Sequence, residues 1–266
     1  MRNTIGLTLL SSLILCGFVG DVRIKTPSSG LSGKVVSAGI GFQSDAVIPT
    51  MIPNLVVWFD AADTSTIADT TGAVTQWNDK SGNGNNIVQA TALDQPVTNA
   101  TTQNGLNVMD FEDDEHVEAI VDTISQPLTI FTVVKFTDKA SGVGETFVDS
   151  SVSTDDRLFV RKANDNDIDV SAGIIVTGNA ALSGFNIYAV LANTTASSLF
   201  VNGASQFVGQ DIGANDFELI TIGANASASA GLTGSVAETI IYSRLLTEGE
   251  RISITKYLSS KWAIGI

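Results

Sequence analysis

Histidine and cysteine are almost missing from this chain of 266 residues, which has one of each, His116 and Cys16. A lone cysteine cannot close an intrachain disulfide, and zinc modules or haem sites that need several Cys or His ligands are excluded by counting. A His-dependent hydrolytic triad would have to use His116, which stands inside an acidic run, and no G-x-S-x-G elbow accompanies it. Positive charge is scarce as well. Lys plus Arg number 14 against 28 for Asp plus Glu, a formal net charge of -14. Such a chain repels a phosphate backbone, so nucleic acid is not an expected partner. The one apolar stretch, Thr4 to Val19, falls short of the ~20 apolar residues of a membrane-spanning helix and is broken by Gly6, Thr8, Ser11 and Ser12.

What the sequence does contain points to β-structure. Hydrophobic residues make up 44% and charged residues 16%, the balance of a compact fold, and 24 glycines with abundant Thr, Ser, Asn and Val favour strands joined by tight turns. Residues 1–20 read either as a leader of signal-peptide outline or as an apolar anchoring arm. In the arm reading, Ile5, Leu7, Leu9 and Leu13 supply the contact side chains. Residues 21–53 read as a Gly/Ser/Pro linker and residues 54–266 as the globular domain.

Within that domain the expected strands are Leu55 to Phe59, Val74 to Asn78, Val108 to Phe111, Leu128 to Phe136, Glu145 to Asp149 and Leu158 to Lys162. Further along come Ile168 to Ile175, Asn186 to Asn193, Ser198 to Val201, Glu218 to Ile222 and Gly234 to Tyr242. Short strands punctuated by SGNGNN, NDND and NG predict an all-β antiparallel sandwich, a jelly roll with an extended N-terminal arm. Only the C-terminal segment has a helical period. There Thr247 and Glu250 form a capping box, and Ile254, Leu258 and Trp262 share one face of a short helix.

Four segments in order carry a family resemblance: LVVWFDAADTSTI from Leu55, QWNDKSGNGNNIVQAT from Gln76, NGLNVMDFEDDEHV from Asn104, and the closing block from Ile220 to Trp262 with AETIIY, LTEGER and YLSSKW. In this order the chain resembles the concanavalin A-like, laminin-G-like jelly-roll domains of tailed-phage virion proteins and secreted bacterial proteins. It departs from that pattern at Glu112 and Asp113, where the family has a glycine after its Phe-Asp pair. The resemblance implies a virion structural protein without enzymatic activity: a capsid decoration, head fibre or tail component on the virion surface. Its arm would hold other virion proteins and its domain would face host-surface glycan, with a homo-oligomer as a candidate state. A secreted or cell-surface lectin-like module with a cleaved leader is the alternative.

The side chains that carry chemistry are few. No E-x-D-x-E string places paired carboxylates on one strand, as a glycan hydrolase of this fold would need. The run Glu112, Asp113, Asp114, Glu115 and Glu118 reads as a solvated turn, and Glu238 is expected to bond backbone or Arg. Calcium is the one candidate cofactor. Asp79, Asn83 and Asn85, with Ser81, alternate in DKSGNGN, and Asp165, Asp167 and Asp169 alternate in DNDID. Both strings also suit turns, because Asn, Asp and Gly accept turn geometry for their own reasons. Trp58, Trp77 and Trp262 are expected to pack in cores rather than to offer sugar-stacking faces. Asn-x-Ser/Thr sequons at Asn99, Asn193 and Asn225 are expected in exposed loops.

Overall fold

In the computed structural model the described residues are 47–137, 144–150, 157–164, 166–179, 183–225, 227 and 230–266. The arm residues Ile5, Leu7, Leu9 and Leu13, Cys16, most of the 21–53 linker and Asp165 lie outside them.

Apolar and β-branched runs separated by Asn and Gly turns give strands along the whole described chain. They are β1 (Leu55–Asp60), β2 (Ile67–Thr70), β3 (Ala73–Trp77), β4 (Ile87–Val88), β5 (Val97–Gln103), β6 (Leu106–Phe111), β7 (Val117–Ile124), β8 (Leu128–Phe136) and β9 (Glu145–Asp149). Next come β10 (Phe159–Asn164), β11 (Asp167–Ser171), β12 (Ile175–Asn179), β13 (Phe185–Ala192), β14 (Ser197–Val201), β15 (Ala204–Gln210), β16 (Phe217–Ile222) and β17 (Gly234–Tyr242), followed by helix α1 (Glu248–Trp262). The Ile168 to Ile175 run, expected as one strand, is two. Gly173, at φ +111, turns the chain between β11 and β12.

All of the pairings are antiparallel and sort into two layers. In the first, β17 lies against β8 along its length, and β13, β14 and β15 follow in order. The other edge of β17 is shared: β1 takes its C-terminal half and β6 its N-terminal end, with β5 beyond β6. The second layer runs β3, β4, β7, β16, β9, β10, β11, β12, with β2 on β3. A pairing of Ala73 with Val97 joins the layers at one edge, so the whole is an antiparallel β-sandwich with one C-terminal helix.

Side-chain alternation divides the apolar residues between two cores. Phe59, Trp77, Phe111, Phe147, Tyr188 and Phe217 fill the space between the layers. Trp58, Phe131, Val133, Ile187, Tyr242 and Ile240 stand on the opposite face of the first layer, where Ile254, Leu258 and Trp262 of α1 cover them. Covering on both sides is why β8 and β17 read as unbroken apolar runs rather than as alternating ones. Residues 47–53 pack on the same face. Ile52 is buried there, the Tyr242 hydroxyl donates to Pro49 O at 3.0 Å, and Arg244 Nε donates to Pro53 O at 3.2 Å. The helix starts on the expected capping box, and Ala263 ends it in the left-handed region. Among the described residues no helix is long and apolar enough to cross a membrane.

Candidate functional site

Two polar features stand on the helix-side face of the first layer. The first lies beneath α1. A β-bulge between Val236 and Glu238 sets Glu238 on the same face as Ile240 and Tyr242, and β1 presents Trp58 and Asp60 beside them. The register pairs Trp58 with Ile240 and Asp60 with Glu238, so two carboxylates sit directly opposite each other. Like charges in that position repel unless cations intervene. Lys261 of α1 meets both, at 2.5 Å to Asp60 Oδ1 and 2.7 Å to Glu238 Oε2, while Lys80 pairs with Asp60 at 2.7 Å and Asp63 at 2.9 Å.

Glu238 is wholly buried, and its oxygens accept four hydrogen bonds. The Trp58 indole at 2.7 Å and the Tyr257 hydroxyl at 2.9 Å donate to Oε1, and Lys261 and the Trp262 indole at 2.8 Å donate to Oε2. Burial pushes its pKa up, the Lys261 charge opposes this, and the Asp60 charge adds to it. Four donors on two oxygens call for the ionised form, which accepts only. The expectation that Glu238 bonds backbone or Arg is therefore corrected: its partners are two indoles, a phenol and an ammonium. Retaining glycosidases bring two carboxylates to one scissile bond. Here α1 covers the pair, so Asp60 and Glu238 fasten the helix to the sheet.

The second feature is a groove of about 480 Å³ along the same sheet. Asp110 pairs with Ser235, Ser235 with Lys135, and Lys135 with Phe185, so β6, β17, β8 and β13 each add one residue to a row across its floor. The Thr101 hydroxyl contacts both Asp110 oxygens, at 2.7 and 2.9 Å, and the Ser235 hydroxyl donates to Oδ1 at 2.6 Å. Gly234 allows the close approach of β17 and β8, because a Cβ there would stand 2.1 Å from Lys135 O. At the rim, Glu115 accepts from Glu112 N at 2.8 Å. Burial raises the Glu115 pKa first, the Glu112 N–H opposes it, and the Glu112 and Asp110 charges add to it.

One wall of the groove belongs to the β5–β6 hairpin. Its turn residues, Asn104 at φ +51 and Gly105 at φ +72, are the Asn-Gly pair that tight hairpins favour. Gln103 and Asn104 donate to Trp262 O at 2.7 Å and Lys261 O at 2.9 Å, satisfying carbonyls that the helix end leaves open. The Asn-Gly pair is a local signal that could have marked this hairpin, whereas Thr101, Asp110, Lys135 and Ser235 carry no motif of their own. Only the register brings them together.

The other candidates are placed as follows. Of the acidic run, Glu112, Asp113 and Asp114 are exposed and Glu115 and Glu118 half-buried, so Glu115 is not part of a wholly solvated turn. His116 is buried beside Gln89 and Asp114 O. Asp79, Ser81, Asn83 and Asn85 do come together, but as a loop stitched onto β1. Asp79 Oδ1 accepts from Trp58 N and Ser81 N, and its Oδ2 from Ser81 Oγ and Asn85 N. Asn83 and Asn85 turn their amide N–H groups to Val56 O, at the β1 bulge. That donor set does not fit a calcium ion, which takes oxygen ligands. Asp169 pairs with Arg161 at 2.9 Å and accepts from Thr177, while Asp167 accepts from Asn164 and Asn179. Among the described residues no group of three or more His, Cys, Asp or Glu is arranged to hold a metal. Trp58, Trp77 and Trp262 are core residues, and Trp58 also carries Lys80 over its ring at 4.4 Å. Asn99 is exposed, whereas Asn225 is buried, against the expectation for a sequon.

No family model matches the chain, and no curated protein matches it in sequence. Solved structures do. A Trypanosoma rangeli sialidase in complex with 2,3-difluorosialic acid, a covalent intermediate, is similar over 87% of this chain and 36% of its own, at a TM-score of 0.58 and 14% identity. A GH54 α-L-arabinofuranosidase soaked with a cyclic sulfate inhibitor is similar over 71% of this chain and 51% of its own, at a TM-score of 0.56 and 13% identity. The chain thus spans about a third to a half of the length of these proteins. The likeness is one of fold, a β-rich architecture shared with carbohydrate-acting proteins. The expectation of a protein without enzymatic activity is corrected by this likeness: structures of this fold include a sialidase and an arabinofuranosidase, so the fold does not exclude an enzyme.

Proposed function

We propose that the chain is a carbohydrate-recognising module of the concanavalin A-like jelly-roll type, with its saccharide in the groove over Asp110, Ser235 and Lys135. The cross-strand row carries this reading. A carboxylate, hydroxyls, an exposed ammonium and a half-exposed Phe185 line one groove of ligand size, and together they offer acceptors, donors and an apolar face to a polyhydroxylated ring. The names of the sialidase and the arabinofuranosidase support the same substrate class. A second reading rests on Asp110 and Glu115, which both line the groove: it is hydrolytic, with the partly buried Glu115 as proton donor.

The order of the four motif blocks and the apolar segment ahead of the linker support display on a surface. In this proposal residues 1–53 tether the domain to a phage particle; with a cleaved leader the same domain is a secreted or cell-surface module. Titration of the full chain against a panel of neutral and acidic oligosaccharides tests recognition. Binding that Asp110→Asn and Ser235→Ala each weaken about tenfold, the loss of one charge-assisted contact, supports it. No binding across the panel overturns it. Release of reducing ends, abolished by Glu115→Gln, selects the hydrolytic reading. Mass spectrometry of purified particles decides the tether, because cleavage near Gly20 removes it.

A further inference from the structure

Arg251 is the second residue of the Glu-Arg pair in the closing block. The residue is buried, at 7% exposed, with the central carbon of its guanidinium 3.8 Å from the centre of the Phe200 ring. It makes no hydrogen bond or ion pair with any described residue. Glu248, three residues earlier, acts on it only through its field, and burial lowers the Arg251 pKa. The Arg251 nitrogens are not cut off from solvent, so a buried stem carries to the surface a cation with no carboxylate bonded to it. Elsewhere in the described chain Arg157, Arg161 and Arg244 each have a carboxylate partner, as expected where the net charge is -14.

Arg251 lines a groove of about 520 Å³ between α1 and the β14–β15 turn. Lys256 is exposed on the same groove, and no carboxylate side chain lines it. The rest of the lining is mainly apolar, with Ile252, Ile266, Ala204 and the Thr255 side chain. With its central carbon over the Phe200 ring, the guanidinium keeps N–H groups that no described residue accepts from, and these can donate to an oxyanion.

We infer that this groove binds an organic carboxylate or sulfate, with the oxyanion on Arg251 and Lys256 and the apolar body against Ile252 and Ile266. The site is separate from the saccharide groove and does not rest on it. Calorimetric titration of the full chain with hexanoate, hexyl sulfate and hexanol tests it. Saturable binding of either anion, at least tenfold tighter than hexanol, is expected, and the tighter of the two names the oxyanion. Arg251→Gln is expected to reduce that binding at least tenfold. Lys256→Glu, at an exposed position where substitutions change stability little, is expected to do the same. Asp110→Asn is expected to leave it unchanged. Equal binding of hexanol, no binding of either anion, or anion binding unaltered in Lys256→Glu overturns the inference, whether or not Arg251→Gln folds.

Discussion

Asp60 and Glu238 face each other across β1 and β17, and Lys261 holds both carboxylates from the helix above. The pairing couples three distant parts of the chain: an N-terminal strand, the central strand of the first layer and α1. It also explains why three buried or half-buried aromatic side chains, Trp58, Tyr257 and Trp262, point polar atoms to one place.

Removing the shared cation leaves two opposed carboxylates under the helix. Lys261→Met is expected to lower stability by about 3 kcal/mol, the scale for breaking a buried ion pair from one side. Lys256→Met, an exposed change on the same helix, is expected to stay within about 0.5 kcal/mol. Urea unfolding of both variants measures the difference, and equal midpoints would mean that the cluster does not fasten the helix.

The helix start should depend on pH. Hydrogen bonding to Arg244, then to the Thr247 N–H, holds the Glu250 carboxyl down from its ordinary 4.5 to about 2. The folded chain therefore binds this proton more weakly than the unfolded chain. The resulting stability is fully present above pH 4.5 and is lost as the pH falls through about 2. Glu250→Gln keeps a capping side chain but no charge, and at pH 7 it is expected to cost ~0.5–1 kcal/mol, the range of a half-exposed ion pair. The gap between variant and parent is expected to shrink steadily below pH 4.5 in paired denaturation curves. A constant gap down to pH 2 would contradict the assignment.

Asp79 gathers Trp58 N, Ser81 N, Ser81 Oγ and Asn85 N. Asp79→Ala leaves these donors without their acceptor and is expected to cost about 2 kcal/mol. EDTA, or calcium at millimolar concentration, is expected to move the thermal midpoint of the parent protein by less than about 1 °C, since a specific ligand would raise it by mass action. A clear rise with calcium would reinstate the loop as an ion site.

Much of the scaffold was legible in the residues. Leu128–Phe136, Glu145–Asp149 and Gly234–Tyr242 lie where the sequence places them, because strands covered on both faces or packed centrally are apolar enough to stand out. The helix was legible from Thr247, Glu250, Ile254, Leu258 and Trp262. β5 (VTNATTQ), β15 (ASQFVGQ) and β2 (IADT) were not, since edge and half-exposed strands carry polar side chains that look like loop. β7 escaped because Ile120 points to solvent and interrupts its alternation. Neither polar site was legible. The Asp60–Glu238 pair and the Asp110–Ser235–Lys135 row exist through register between strands far apart in sequence, which no local pattern encodes. A single strand does not carry the carboxylate pair; the fold sets it across two strands.

The outer face of the first layer also bears on the order in which the molecule is made. Phe131, Val133, Ile187 and Ala189 belong to β8 and β13, but the helix that covers them is residues 248–262. A ribosome releases both strands long before it releases their cover. During that interval a nascent chain shows two apolar strands to its surroundings. Productive folding of this layer therefore waits on α1, and chaperone engagement should concentrate on chains halted between β13 and the helix.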